Sequence, residues 1–238
     1  MKKGMISALY AAACIVLFHT PCAAASDTLS VKFEEGLIGR ELARATGRVL
    51  ARRDVHRRFE NVEFGCTRRQ FLYMMDNIPA FSYVIRRFSI DDITVESRTD
   101  GGFDGHDSYG VSGVFYRVQA PDGRVVFYGR GKYEKEPVRL SGEAVIMVKF
   151  MLPEEEARTV RCRIDCFILI KSAVLKTFLY ALHPYVTELA DRKITHVFNV
   201  GRRVMGRVRS DRDICVRYLE EAGYSPGYIG GFKDVMFR

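Results

Sequence analysis

From Leu175 to Val208 the apolar residues of this chain keep a helical period for more than thirty residues. Leu175, Phe178, Leu179, Leu182, Val186, Leu189, Ile194, Val197, Gly201, Val204, Met205 and Val208 recur at that spacing, while Glu188, Asp191, Arg192, Arg202, Arg203 and Arg209 populate the other side. A helix this long with one apolar side needs an equally long apolar surface to lie on, so the rest of the chain must supply one. Pro184 sits inside the run and is expected to break it, leaving a short helix at 172–182 and a long one from 184 to about 209.

The surface comes from residues 89–170, which are rich in β-branched and aromatic side chains broken by turn signals. Strands are expected at 90–98, 109–119, 124–133, 138–150 and 159–170. The turns between them are Thr99-Asp-Gly-Gly-Phe-Asp-Gly-His-Asp-Ser-Tyr-Gly110, Ala120-Pro121-Asp122-Gly123, residues 134–137, and Leu152-Pro153-Glu154-Glu155-Glu156. Connections this short join antiparallel neighbours, which makes a meander.

Before the meander, apolar residues at Phe33, Leu37, Leu42, Ala45, Val49 and Leu50 predict an amphipathic helix over 33–53, serving as a cap or packing arm. Phe59, Val62 and Phe64 suggest a short strand. Thr67 can cap the next helix, with Gln70 completing a capping box. Asn77-Ile78-Pro79 ends that helix and starts another to residue 86, because proline suits a first turn. A short helix at 211–222 and a Gly/Tyr-rich tail follow the terminal run.

The predicted fold class is therefore α+β. The order of its elements resembles the helix-grip fold of the START and Bet v 1-like superfamily, in which a curved antiparallel sheet wraps a long C-terminal helix. The resemblance covers residues 57–210, preceded by a helical segment at 26–56 and followed by a short helix and tail at 211–238. Six strands are expected where seven are common in that superfamily. The resemblance implies a cavity for a lipid or other hydrophobic small molecule, lined by apolar residues such as Phe115, Phe127, Met147, Phe167, Val197 and Val204. No family motif matches, so no site residue carries over.

Reactive groups are few. The stretch TDGGFDGHDSYG, residues 99–110, concentrates acids, a histidine and glycines, but Asp-Gly pairs between two strands read as a hairpin loop. It lacks the closing glutamate of a calcium loop, and it runs into a strand where a phosphate cradle would run into a helix. His106 with Asp107 could exchange protons at a cavity mouth, and His196 flanks the terminal helix. Asp165 shares a strand face with Arg161 and Arg163, which favours a solvated face; turned inward, it could orient a ligand's polar end. No Gly-x-Ser-x-Gly elbow occurs, and no metal or cofactor is called for.

Lys2 and Lys3, the apolar run from Met5 to Phe18 and Ala23-Ala24-Ala25 read as a secretory signal peptide over 1–25, cleaved after Ala25. A periplasmic or secreted location follows, and there Cys66, Cys162, Cys166 and Cys215 can form disulfides. A strand sets Cys162 and Cys166 too far apart to pair, so the choice lies between a bridge from Cys66 to one of them and buried free thiols. The formal net charge is +8, two units of which belong to Lys2 and Lys3. This mild excess suits an anionic surface, and export makes nucleic acid an unsuitable partner. Arg202, Arg203 and Arg209 stand where the end of the terminal helix could meet phospholipid headgroups. A monomer is expected. Three functions fit: sequestration or transfer of a lipid without chemistry, an enzyme of the cyclase or dehydratase kind using a cavity His, Asp or Tyr, and an envelope interaction protein with a filled core.

Overall fold

The computed structural model describes residues 37–119, 124–135, 138–151, 158–171 and 173–238. Residues 1–25, expected to direct export, and the turns expected at 120–123 and 152–157 lie outside them. Among the described residues there are seven strands: β1 Val55–Phe64, β2 Ile93–Ser97, β3 Phe103–Asp107, β4 Val111–Gln119, β5 Val125–Lys135, β6 Val138–Phe150 and β7 Val160–Ile170. They form one antiparallel sheet in the order β1-β7-β6-β5-β4-β3-β2. Each strand from β2 to β6 pairs with its successor, and β1 forms the edge beside β7.

Among the described residues six helices accompany the sheet: α1 Leu37–Arg52, α2 Arg68–Asp76, α3 Ile78–Arg87, α4 Ala173–Ser210, α5 Arg212–Glu221 and α6 Pro226–Met236. The arrangement is α+β, a curved antiparallel sheet gripping the long helix α4. None of these helices is long and apolar enough to cross a membrane.

Local signals account for much of this. The Thr67 hydroxyl accepts from the Gln70 N–H while the Gln70 side chain accepts from the Thr67 N–H, so the expected capping box starts α2. Pro79 sits in the first turn of α3. β1 is longer than expected because a bulge with Asn61 at φ 53° resets its alternation, so that Phe59, Val62 and Phe64 all face the core.

Two expectations are corrected. The stretch 99–110 is not one loop, since it contains β3, which raises the strand count from six to seven. Gly101 (φ 79°) and Gly110 (φ 91°) make the turns on either side, whereas Asp104-Gly105 lies within the strand. Phe103 decides the matter by stacking on Phe115 of β4 at 5.2 Å. The break at Pro184 is also absent: α4 is one helix of 38 residues. An interior proline removes a single backbone hydrogen bond, which a helix of this length can absorb.

The two faces of the sheet are covered differently. Against the concave face, Val200, Val204, Met205 and Val208 of α4 join side chains of α2, α3, α5 and α6 in one core with Phe64, Val125, Val148, Cys162 and Ile164. On the convex face α1 packs over β5, β6 and β7, with Thr46 and Val49 buried beneath it. Cover on both faces explains why β7, VRCRIDCFILI, is largely buried on both.

Both edge strands are protected by side chains. At β2, the buried Ser82 hydroxyl of α3 donates to Val95 O and accepts from Val95 N. At β1, Arg202 of α4 donates to Glu63 O at 2.8 Å and Arg209 to Gly65 O just past the strand. These contacts occupy backbone groups that a second chain could otherwise pair with.

Candidate functional site: the concave face of the sheet

The register places Gly105, Gly113, Gly131 and Gly142 side by side on β3, β4, β5 and β6. Alternation puts this row on the concave face, in line with Val125, Phe127, Ile146 and Val148. A Cβ added at Gly113 would meet Arg130 O at 2.5 Å, one at Gly131 would meet Ser112 O at 2.7 Å, and one at Gly142 would meet Leu169 O at 2.7 Å. At Gly113, Gly131 and Gly142 neighbouring backbones approach so closely that an added side chain would force them apart, and a glycine row of this kind gives the sheet a crease at which it can bend toward α4.

Beside the crease stands an aromatic row. Phe103 stacks on Phe115, and Phe115 meets Phe127 edge to face at 6.2 Å. Phe127 and Ile146 touch the filled core, whereas Phe103 and Phe115 lie beyond it. The concave face therefore divides into a packed half under residues 200–208 of α4 and a half made of phenylalanines and bare glycine backbone.

Of the residues expected to line a cavity, Phe115 and Phe127 face this region. Val204 is completely buried, inside the packed half. Met147 and Phe167 are buried on the convex face instead. Phe167 shares its strand face with Asp165 and Arg163, and Met147 pairs with Asp165, so both fall on the side that carries the buried charges. Val197 is 55% exposed although it lies on the same stripe as Val204.

Ion pairs join α4 to both sides of the grip. Toward β1, Arg57 donates from Nε to Asp191 Oδ1 at 2.6 Å and from a second nitrogen to Oδ2. Toward the opposite edge, Lys193 Nζ lies 3.1 Å from Asp107 Oδ2, with the Tyr109 ring 4.4 Å away and Tyr133 behind it. Asp107 Oδ1 meanwhile accepts from the Tyr109 and Val111 N–H groups. His196 meets the buried carboxylate of Asp91 and packs edge-on against Tyr109. The structure thus brings Asp107 and His196 to one place through Tyr109 and Lys193, while His106 is exposed. Asp91 was missed because nothing local to it in the sequence signals a partner 105 residues away. His196 also lines a shallow groove of about 400 Å³ with Asp191, Arg192, Thr195 and Asn199.

Asp165 lies on the convex face with Arg163, as alternation indicated, but it is buried, not solvated. Arg58 Nε donates to it at 2.7 Å, His56 Nε2 lies at 3.0 Å and Arg163 Nε at 3.3 Å. Burial pushes its carboxyl up, but the bonds from Arg58 and His56 outweigh that and hold it below its ordinary value of 3.8. Glu143, also buried on this face, receives Arg48 at 2.8 Å, Tyr128 Oη at 2.8 Å and Lys171 Nζ at 3.0 Å. Burial raises it as well, and the bonds from Arg48, Lys171 and Tyr128 bring it below its ordinary 4.5.

A depressed folded value means that the unfolded chain takes up protons first. Each carboxylate therefore contributes stability that is complete above the ordinary value and is lost as pH falls through the folded one. The urea midpoint should drop as pH goes from about 5 to about 3. Glu143→Gln and Asp165→Asn should each be less stable at neutral pH and show a shallower acid slope; an unchanged slope in both would exclude these networks as its source.

Cys66, Cys162, Cys166 and Cys215 are all free and buried. Burial pushes each thiol up to about 12, so they are protonated at neutral pH and behave as core. Of the arginines expected to reach headgroups, Arg202 and Arg209 are engaged at the end of β1, and Arg203 is left exposed.

No family model and no curated protein matches this chain. Among solved structures, a conserved protein from Geobacillus kaustophilus is 10% identical with a TM-score of 0.43, over 64% of this chain and 97% of that one. The Zhui aromatase/cyclase from Streptomyces is 10% identical with a TM-score of 0.36, over 66% and 98%. The fold assignment rests on the strand order and helix placement of this chain itself.

Proposed function

We propose that the protein binds a hydrophobic small molecule or lipid between the concave face and α4, and holds or transfers it without making or breaking bonds. One observation carries the reading: beyond the packed core, the concave face offers half-buried Phe103 and Phe115 beside a row of glycines. Such a surface suits apolar cargo. The acid–base alternative has less support, because Asp107, Asp191 and His196 are each engaged in a polar contact that ties α4 to the rest of the fold. In this reading the protein works outside the cytoplasm, after export directed by residues 1–25.

Native mass spectrometry of the protein purified from its own cells tests the proposal. A mass excess of one bound molecule, removed by organic solvent, is expected. Protein that is bare as isolated and stays bare after incubation with a total lipid extract would overturn it.

A further inference from the structure

Arg40, Arg44, Arg48 and Arg52 follow one another at four-residue steps along α1. In a helix this spacing sets them about 40° apart, as a ridge roughly 18 Å long. All four are exposed, and the buried residues Thr46 and Val49 lie on the opposite side of the helix. Arg48 reaches down to Glu143. Arg40, Arg44 and Arg52 make no ion pair among the described residues, and Glu41 is the one acidic residue of the helix. Like charges four apart disfavour a helix, so this ridge works against α1 itself.

The helix is nonetheless held firmly. Val49 is fully buried, and Arg48, Tyr128 and Lys171 converge on Glu143 beneath it. The guanidiniums are therefore presented from a fixed support. The basic cluster at the end of α4 differs, because Arg202 and Arg209 serve the end of β1 and Arg207 pairs with Asp211.

We infer that the outer ridge of α1 is a docking surface for an anionic phospholipid membrane, engaged through the headgroup phosphates by Arg40, Arg44 and Arg52. A straight ridge on the outside of the molecule suits a flat anionic layer. α1 contains no aromatic residue, so it lacks the stacking platforms that a nucleic-acid strand would use. The inference stands apart from what the concave face holds, since headgroup binding needs no cargo.

Co-sedimentation with vesicles of phosphatidylcholine alone, or mixed with phosphatidylglycerol, tests it at low and physiological ionic strength. The unaltered protein should bind only the anionic vesicles, and less tightly as salt rises. Changing Arg40, Arg44 and Arg52 together to glutamine should weaken binding roughly a hundredfold, at about 1 kcal/mol for each arginine near the surface. Changing Arg202, Arg203 and Arg209 to glutamine should alter it by less than about threefold, because at most one free arginine is removed. Arg44→Glu alone, which leaves the rest of the helix intact, should lose about tenfold or more. Equal binding by the α1 variants, a comparable loss in the α4 variant, or binding to duplex nucleic acid without binding to vesicles would overturn the assignment.

Discussion

Val204→Asp is expected to unfold the protein, while Val197→Asp leaves its stability within about 0.5 kcal/mol of the parent. The two valines lie seven residues apart on one stripe of α4, so helical periodicity treats them alike. Their surroundings differ. Val204 has no exposed surface and sits in the core that joins α4 to Phe64, Cys66 and Phe71. A carboxylate there has no partner and would cost more than about 4 kcal/mol, a large share of the roughly 5–15 kcal/mol that stabilises a domain. Val197 is 55% exposed, so a charge there stays in water. Urea denaturation followed by circular dichroism reads both. Unchanged stability in Val204→Asp would mean that α4 does not lie against the concave face, and equal losses in both variants would contradict the stated orientation of the helix.

Gly113→Val is expected to cost about 3 kcal/mol or more. The new Cβ would stand 2.5 Å from Arg130 O and 2.7 Å from the Gly131 Cα, both backbone atoms of the paired strand, so β4 and β5 would have to part. Neither atom can swing aside as a side-chain end would. The sheet should flatten at its crease, so binding of the proposed cargo should be lost along with stability. Gly47→Ala is the control: it lies within α1 with nothing within 4 Å of the added methyl, and should gain up to about 1 kcal/mol from helix propensity. If Gly113→Val melted like the parent, the glycine row would not be what curves the sheet.

The features legible in the sequence are those set by neighbours in the chain. The capping box at Thr67, the helix start at Pro79 and the strands β4 to β7 rest on spacing within about a dozen residues. β3 escaped because Asp104-Gly105 has the composition of a turn, and only the contact of Phe103 with Phe115 makes it a strand. The glycine row escaped for a different reason. Gly105, Gly113, Gly131 and Gly142 are scattered along the chain, and register alone aligns them. Facing was the hardest to read. Where α1 covers the convex side, β6 and β7 bury apolar Val145, Met147 and Phe167 among the charges of Glu143 and Asp165, so apolar character alone did not separate Met147 and Phe167 from concave residues. The partners of Asp165 and Glu143 are equally non-local: Arg58 is 107 residues from Asp165, and Arg48 is 95 from Glu143.

An apolar molecule is proposed to occupy the concave face beyond the packed core. Titration with a fluorescent long-chain fatty acid tests it most directly, comparing the parent with Phe115→Asp and Val197→Asp. Phe115 stands in the aromatic row beside the glycines, whereas Val197 is an exposed apolar residue on the same protein. The parent should bind saturably at one site, and Val197→Asp should bind equally well. Phe115→Asp should lose at least about tenfold, the effect of withdrawing one phenylalanine from an apolar contact. Absence of saturable binding in the parent, or parent-like binding by a folded Phe115→Asp, would contradict the claim.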